Sequence, residues 1–176
     1  MSTLPTDLIA LADSVIEKAL SFDCTLATAE SCTGGLISSC LTSVSGSSEA
    51  FLCGFVTYSN GAKTRLLGVP VDAISDFGAV SDIVAAAMAE GAVAHSGADL
   101  AVAVTGIAGP GGSTQDKPVG LVYLSLAQTG KDAVVKRYVF AGTRDDVRRS
   151  AVGAALELML SGLEQRDRTL KELELT

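Results

Sequence analysis

The sequence predicts a three-layer α/β/α sandwich built around a mixed sheet. Three features carry that prediction. Segments with apolar residues at helical spacing alternate along the chain with short runs rich in β-formers. One run, Leu100 to Thr105, is apolar almost without a break, as a central strand buried on both faces must be. The stretches Val119 to Ala127 and Val134 to Phe140 flank Gln128-Thr129-Gly130-Lys131-Asp132, which makes them a β-hairpin and adds antiparallel strands to the sheet.

Each element follows from local sequence. Leu8, Leu11, Ala12, Val15, Ala19 and Leu20 recur at helical spacing, so residues 7–21 form an amphipathic helix entered through Pro5-Thr6-Asp7. Thr25 to Ala29 has β character, and Glu30 to Gly35 is a polar turn leading to a helix with Leu36, Ile37, Cys40, Leu41 and Val44 on its apolar face. After the loop Ser45-Gly46-Ser47-Ser48 a strand spans Ala50 to Tyr58, and residues 62–67 form a short helix closed by Gly68 and Pro70. Residues 76–80 are a loop, and Ser81-Asp82 caps an Ala-rich helix over 82–96. A glycine-rich loop, Gly106 to Ser113, follows the central strand. After the hairpin, Thr143 caps a last helix whose stripe is Val147, Ala151, Ala154, Ala155, Leu158 and Met159. That stripe ends near Gly162, so the chain reads as one domain over residues 1–163 with a solvated charged tail over 164–176.

Composition narrows the function. With 176 residues and 48% apolar content the chain can bury one sizeable core. A net charge of −7 argues against nucleic acid as the main partner, and an anionic small ligand would need a local basic pocket. No apolar run approaches the ~18 residues of a membrane helix, and Asp7, Asp13 and Glu17 occupy the place of a signal peptide, so a cytoplasmic protein without membrane contact is expected. Cys24, Cys32, Cys40 and Cys53 form no C-x-x-C pair, and His95 is the single histidine, so neither a disulfide framework nor a metal site is expected. The abundance of alanine and glycine, with apolar stripes on several helices, points to a homodimer or larger homo-oligomer.

The chemistry concentrates at Thr28 to Gly35. A strand, a tight elbow and a helix lift a side chain, Ser31 or Thr33, out of the sheet and aim free N–H groups at whatever sits in front. The competing reading makes Ser31 or Thr33 an N-cap and the glycine pair a packing device. The stretch is not the G-x-S-x-G elbow, and the glycine-rich loop after Thr105 is not a G-x-x-x-x-G-K-[ST] phosphate loop. With His95 as the only histidine, a base for Ser31 is best sought among lysines. Tyr58 and Lys63 lie five residues apart across Ser59-Asn60-Gly61, so a strand-end tyrosine and a helix lysine can face one pocket; the alternative is a rim aromatic and a solvated lysine.

Thr28-Ala29-Glu30-Ser31-Cys32-Thr33-Gly34-Gly35, Gly54-Phe55-Val56-Thr57-Tyr58-Ser59-Asn60, Gly78-Ala79-Val80-Ser81, Thr105 to Gly112 and Lys117-Pro118-Val119-Gly120 occur in an order that resembles the CinA C-terminal domain family over nearly the whole chain. Characterised members of that family are nicotinamide mononucleotide deamidases. The resemblance implies hydrolysis of the nicotinamide mononucleotide carboxamide to nicotinic acid mononucleotide and ammonia, with Ser31 as nucleophile, Tyr58 and Lys63 as its activating pair, and no cofactor. It also implies a stand-alone form lacking the nucleotide-pyrophosphatase-like domain that often precedes this one. The N–H groups near Thr33, Gly34 and Gly35 are the expected oxyanion donors. Arg144 and Arg148, with the loops at Ser48, at Thr105-Gly106 and at Gly109, are the expected substrate and phosphate contacts. Two rivals remain: an amidohydrolase for another amide, and a non-catalytic regulatory module linked to competence or DNA damage.

Overall fold

The structure, a computed structural model, describes residues 4–174. Five strands, β1 (Leu26–Glu30), β2 (Phe51–Val56), β3 (Leu100–Gly106), β4 (Leu121–Gln128) and β5 (Lys131–Val139), form one sheet in the order β2-β1-β3-β4-β5. β1 is parallel to both β2 and β3, while β4 runs antiparallel to β3 and β5 antiparallel to β4. One face carries α1 (Thr6–Ser21), α2 (Leu36–Thr42) and α6 (Arg144–Glu174); the other carries α3 (Asn60–Leu67), α4 (Val71–Phe77) and α5 (Asp82–Ser96). This is the expected mixed α/β/α sandwich.

Composition explains the two cores. On the α5 face the sheet offers Ala27, Ala29, Ala101, Ala103 and Ala127, small residues that let the Ala-rich helix approach closely. The α6 face is packed with larger side chains, among them Leu26, Leu100, Leu124, Leu156 and Met159, all buried. Gly91 of α5 is required where the helix crosses the end of α3, since a Cβ there would lie 2.0 Å from the Leu67 carbonyl oxygen.

Two elements differ from the sequence expectation. α4 was not expected, because Pro70 reads as a terminator of the preceding helix; it is instead the N-cap of a helix with no fully buried residue and hence no clear apolar stripe. The second concerns residues 164–174, expected as a solvated tail, through which α6 continues to Glu174. Gly162 does not end that helix but lets it touch the sheet: a Cβ there would lie 2.4 Å from Leu126 Cδ2. Beyond it Arg166 pairs with Asp99 at 3.2 Å and Glu164 with Lys18 at 3.7 Å. Leu175 and Thr176, also assigned to the tail, lie outside the described residues. Among the described residues no helix is long and apolar enough to cross a membrane.

Topology gathers the chemistry at one edge. The carboxyl ends of β1, β2 and β3 meet there, and because β4 starts and β5 ends at that edge, the first turn of α6 returns to it. The connection from β1 runs to β2 on one side and the next, from β2, crosses back past β1 to β3 on the other, which puts the switch point where open α/β sheets bind ligands at the end of β1.

Candidate active site

The last residue of β1 and the residue after it point opposite ways, as strand geometry requires. Glu30 turns under α2, and Ser31 turns toward α3. Lys63 Nζ hydrogen-bonds Ser31 Oγ at 3.0 Å and donates to the Thr57 carbonyl at 2.8 Å. Lys63 is 1% exposed, the largest fully buried side chain among the described residues, and it forms no ion pair with a carboxylate. Burial pushes its pKa below the ordinary lysine value of 10.5, opposed by the nearby Cys32 thiol. α3 presents it from its first turn, which Ser59 caps by accepting from Ala62 N–H.

The rest of the elbow is bound inward. Thr33 Oγ1 donates to Glu30 Oε2 at 2.7 Å, so Thr33 is not the exposed nucleophile that sequence left open. Gly34 N–H donates to the Ser31 carbonyl and Gly35 N–H to Glu30 Oε2, which corrects their assignment as oxyanion donors. The glycines have another purpose, since φ of +63° and +98° disfavours any side chain. Among the described residues, no oxygen accepts from Cys32 N–H or Thr33 N–H, so these two are the open donors of the turn. Cys32 itself is 6% exposed, and burial pushes its thiol up to about 11. Cys32 is therefore expected to resist thiol-blocking reagents in the folded protein, as mass spectrometry after labelling would show. Rapid and complete labelling of Cys32 in the native protein would show the thiol to be accessible and reactive.

Arg148 of α6 donates from Nη2 to the Thr33 carbonyl at 3.1 Å, and its Nε is buried without a partner. Arg144, one turn earlier, donates to the Gly109 carbonyl at 2.8 Å and to the Tyr58 hydroxyl at 3.0 Å. Tyr58 thus stands at the rim, 62% exposed and two residues past β2. Its hydroxyl is hydrogen-bonded to Arg144 and to neither Ser31 nor Lys63, so the expected activating pair of Tyr58 and Lys63 is not assembled here. Thr105 Oγ1 is spent on the Ala79 carbonyl at 2.7 Å, and Gly106 pairs with Val122 as the last residue of β3, where a Cβ would meet Val122 and the Leu121 carbonyl. Both are structural supports of the edge. Ser48 is displaced altogether: it lies in a 3₁₀ turn before the start of β2, the opposite edge of a parallel pair, about 16 Å from the carboxyl ends at ~3.3 Å per residue.

Two participants escaped sequence reasoning. The Thr57 carbonyl that holds Lys63 leaves no side-chain signal. Glu30 could have been found, because it ends a strand on the face that receives the next helix; its Oε2 accepts from Thr33 Oγ1, Gly35 N–H and Ile37 N–H, and its Oε1 from Ser38 N–H and Oγ. His95, exposed at the end of α5 and bonded to the Gly91 carbonyl, has no part in the site. No group of three or more His, Cys, Asp or Glu side chains among the described residues could hold a metal ion.

The profile of the CinA C-terminal domain matches residues 8–163. The chain belongs to this family. A CinA-like protein of Geobacter sulfurreducens is 57% identical over 133 residues, 76% of this chain and 32% of the relative, and one of Leptospira biflexa is 45% identical over 150 residues, 85% and 36% respectively. The chain therefore spans about a third of the length of the curated CinA-like proteins it matches. Among solved structures, the competence/damage inducible protein CihA from Agrobacterium tumefaciens superposes with a TM-score of 0.89 at 44% identity, covering 93% of this chain and 99% of that one. A CinA superfamily protein from Escherichia coli gives 0.83 at 32% identity, with coverage of 90% and 94%. The CinA sandwich and its switch-point edge are thus shared with solved relatives.

Proposed function

We propose that this CinA domain is a cytoplasmic nicotinamide-nucleotide amidohydrolase that converts nicotinamide mononucleotide to nicotinic acid mononucleotide and ammonia in pyridine nucleotide recycling. The observation that carries the reading is the 3.0 Å contact between Ser31 Oγ and a buried Lys63 Nζ without a carboxylate partner. A buried amine pushed toward its neutral form can take the serine proton, which a solvated ammonium cannot.

The steps follow from that pair. Ser31 Oγ attacks the carboxamide carbon while its proton passes to Lys63 Nζ, and the oxyanion is received by Cys32 N–H and Thr33 N–H. The C–N bond then breaks, Lys63 returns the proton to the departing nitrogen, and ammonia leaves a Ser31 ester. Water, deprotonated by the same amine, hydrolyses the ester to the carboxylate and restores Ser31. The substrate phosphate is assigned to Arg144 and Arg148, cations on successive turns at the same edge. Tyr58, held by Arg144, forms the rim across which the pyridinium ring enters. No metal or organic cofactor enters these steps.

Ammonia release from nicotinamide mononucleotide by the purified protein tests the reading. Turnover of a different primary amide alone would keep the mechanism and change the substrate; turnover of none would favour a regulatory module of the kind that the competence/damage name of the Agrobacterium relative suggests. The enzyme is further proposed to be a homodimer, because β2 is a free sheet edge on which Leu52 and Val56 are each 48% exposed. Light scattering on a size-exclusion column should give twice the chain mass at micromolar concentration; monomer alone would refute it.

A further inference from the structure

We propose that Glu30 is a positioning residue for the Ser31 reaction: closing the amino end of α2 from inside, it fixes the turn that holds Ser31 Oγ on Lys63 Nζ and leaves Cys32 N–H and Thr33 N–H open. The proposal rests on the amidohydrolase reading of Ser31. Glu30 is fully buried, and its two oxygens accept five hydrogen bonds from donors spread over Thr33 to Ser38. Both oxygens face backbone N–H groups, an arrangement that an acceptor-only carboxylate satisfies.

Two consequences reach the nucleophile. The amino end of a helix is ordinarily a place for a substrate anion, and here a side chain of the protein occupies it, so a phosphate is directed elsewhere on the edge. The turn also contains two adjacent glycines at positive φ, a permissive stretch of backbone three and four residues after the reactive residue. Ser31 is pinned on one side by its N–H to the Val104 carbonyl; on the other, its carbonyl accepts from Gly34 N–H, within the segment that Glu30 ties down. Without the carboxylate the segment loses five hydrogen bonds and keeps Arg148 on the Thr33 carbonyl and the backbone bonds donated by Gly34, Leu36 and Ser39 N–H.

The test is Glu30→Gln, which keeps the shape but places an NH₂ against backbone N–H donors whichever way the amide turns. A fluorophosphonate probe reports Ser31 directly, since Oγ attacks phosphorus, fluoride leaves and the adduct is located by mass spectrometry. In Glu30→Gln the labelling rate and kcat should both fall on the order of 10²-fold with KM within about threefold, because a small misplacement of a nucleophile is costly. Leu126→Ala, a core variant at the far end of β4, should lower the melting temperature but keep wild-type labelling, separating positioning from general destabilisation. Should Glu30→Gln not fold, Thr33→Val/Ser38→Ala, which keeps the carboxylate and removes its two hydroxyl donors, carries the same test with an expected fall of at least about threefold. Wild-type labelling at Ser31 with an unchanged rate in the folded variant overturns the role of Glu30 and leaves the amidohydrolase reading standing. Failure of the wild type to label at Ser31 or release ammonia removes both.

Discussion

Replacing Ser31 by alanine is expected to lower kcat for the proposed deamidation by at least about 10³-fold while the protein stays folded. The residue is 9% exposed at the end of β1, and the substitution deletes one oxygen whose partner is Lys63 Nζ. Lys63 keeps its bond to the Thr57 carbonyl, so the loss to stability is that of one hydrogen bond, about 0.5–1.5 kcal/mol. Chemistry loses far more, because the neighbouring groups of the elbow and of β3 are already engaged or protonated. Thr33 Oγ1 points to Glu30, Thr105 Oγ1 to Ala79, and the Cys32 thiol is buried and protonated at neutral pH. Steady-state kinetics with a circular-dichroism check of folding decide the matter. A folded Ser31→Ala enzyme retaining more than a tenth of wild-type kcat would place the nucleophile elsewhere.

The sheet was legible where burial leaves a one-dimensional trace. Leu100 to Val104 are apolar because both faces of β3 are covered, and the hairpin is marked by Thr129-Gly130, with Gly130 at φ +77°. Lys63 was legible for a chemical reason, since an elbow serine without a histidine needs another base. What the sequence conceals depends on three-dimensional direction. Ser48 and Ser31 look equally polar and loop-borne, yet parallel pairing of β1 with β2 sends them to opposite edges. Tyr58 ends a β-rich run, but the strand stops at Val56 and the chain carries the hydroxyl outward to Arg144. Gly34 and Gly35 supply the right kind of donor, but a carboxylate from the preceding strand consumes one N–H and the turn itself the other. Polar sequence marks where hydrogen bonds are made; it does not show which are already satisfied.

That accounting also alters the electrostatics of the base. The amino end of α2 looks from sequence like a fixed positive charge beside the lysine, but Glu30 fills it. Desolvation remains the leading cause of its lowered pKa.

Lys63→Arg is expected to be as inactive as Lys63→Ala, each at least about 10³-fold below wild type in kcat/KM, because the proposed reaction needs a group that gives up its charge. Arginine keeps a cation at neutral pH and carries no lone pair for the Ser31 proton. It is also too large for a site in which lysine is already 1% exposed, so Lys63→Met, close in length and uncharged, serves as the packing control. The wild-type kcat/KM profile should rise with pH through an apparent pKa below the ordinary 10.5, reflecting the neutral fraction of Lys63. Stability should follow with a definite sign. A lysine whose folded pKa is lowered binds fewer protons folded than unfolded between the two values, so folding free energy becomes more favourable as pH rises from the folded pKa toward the unfolded one. Lys63→Met removes that rise and should be the more stable protein below the unfolded pKa, where wild type bears the cost of an ammonium that burial disfavours. Denaturant unfolding of both proteins from pH 6 to pH 10 measures the difference. A Lys63→Arg enzyme with substantial activity, or a wild-type stability curve parallel to that of Lys63→Met, would mean that Lys63 acts through a permanent charge, and the serine–lysine mechanism would have to be given up.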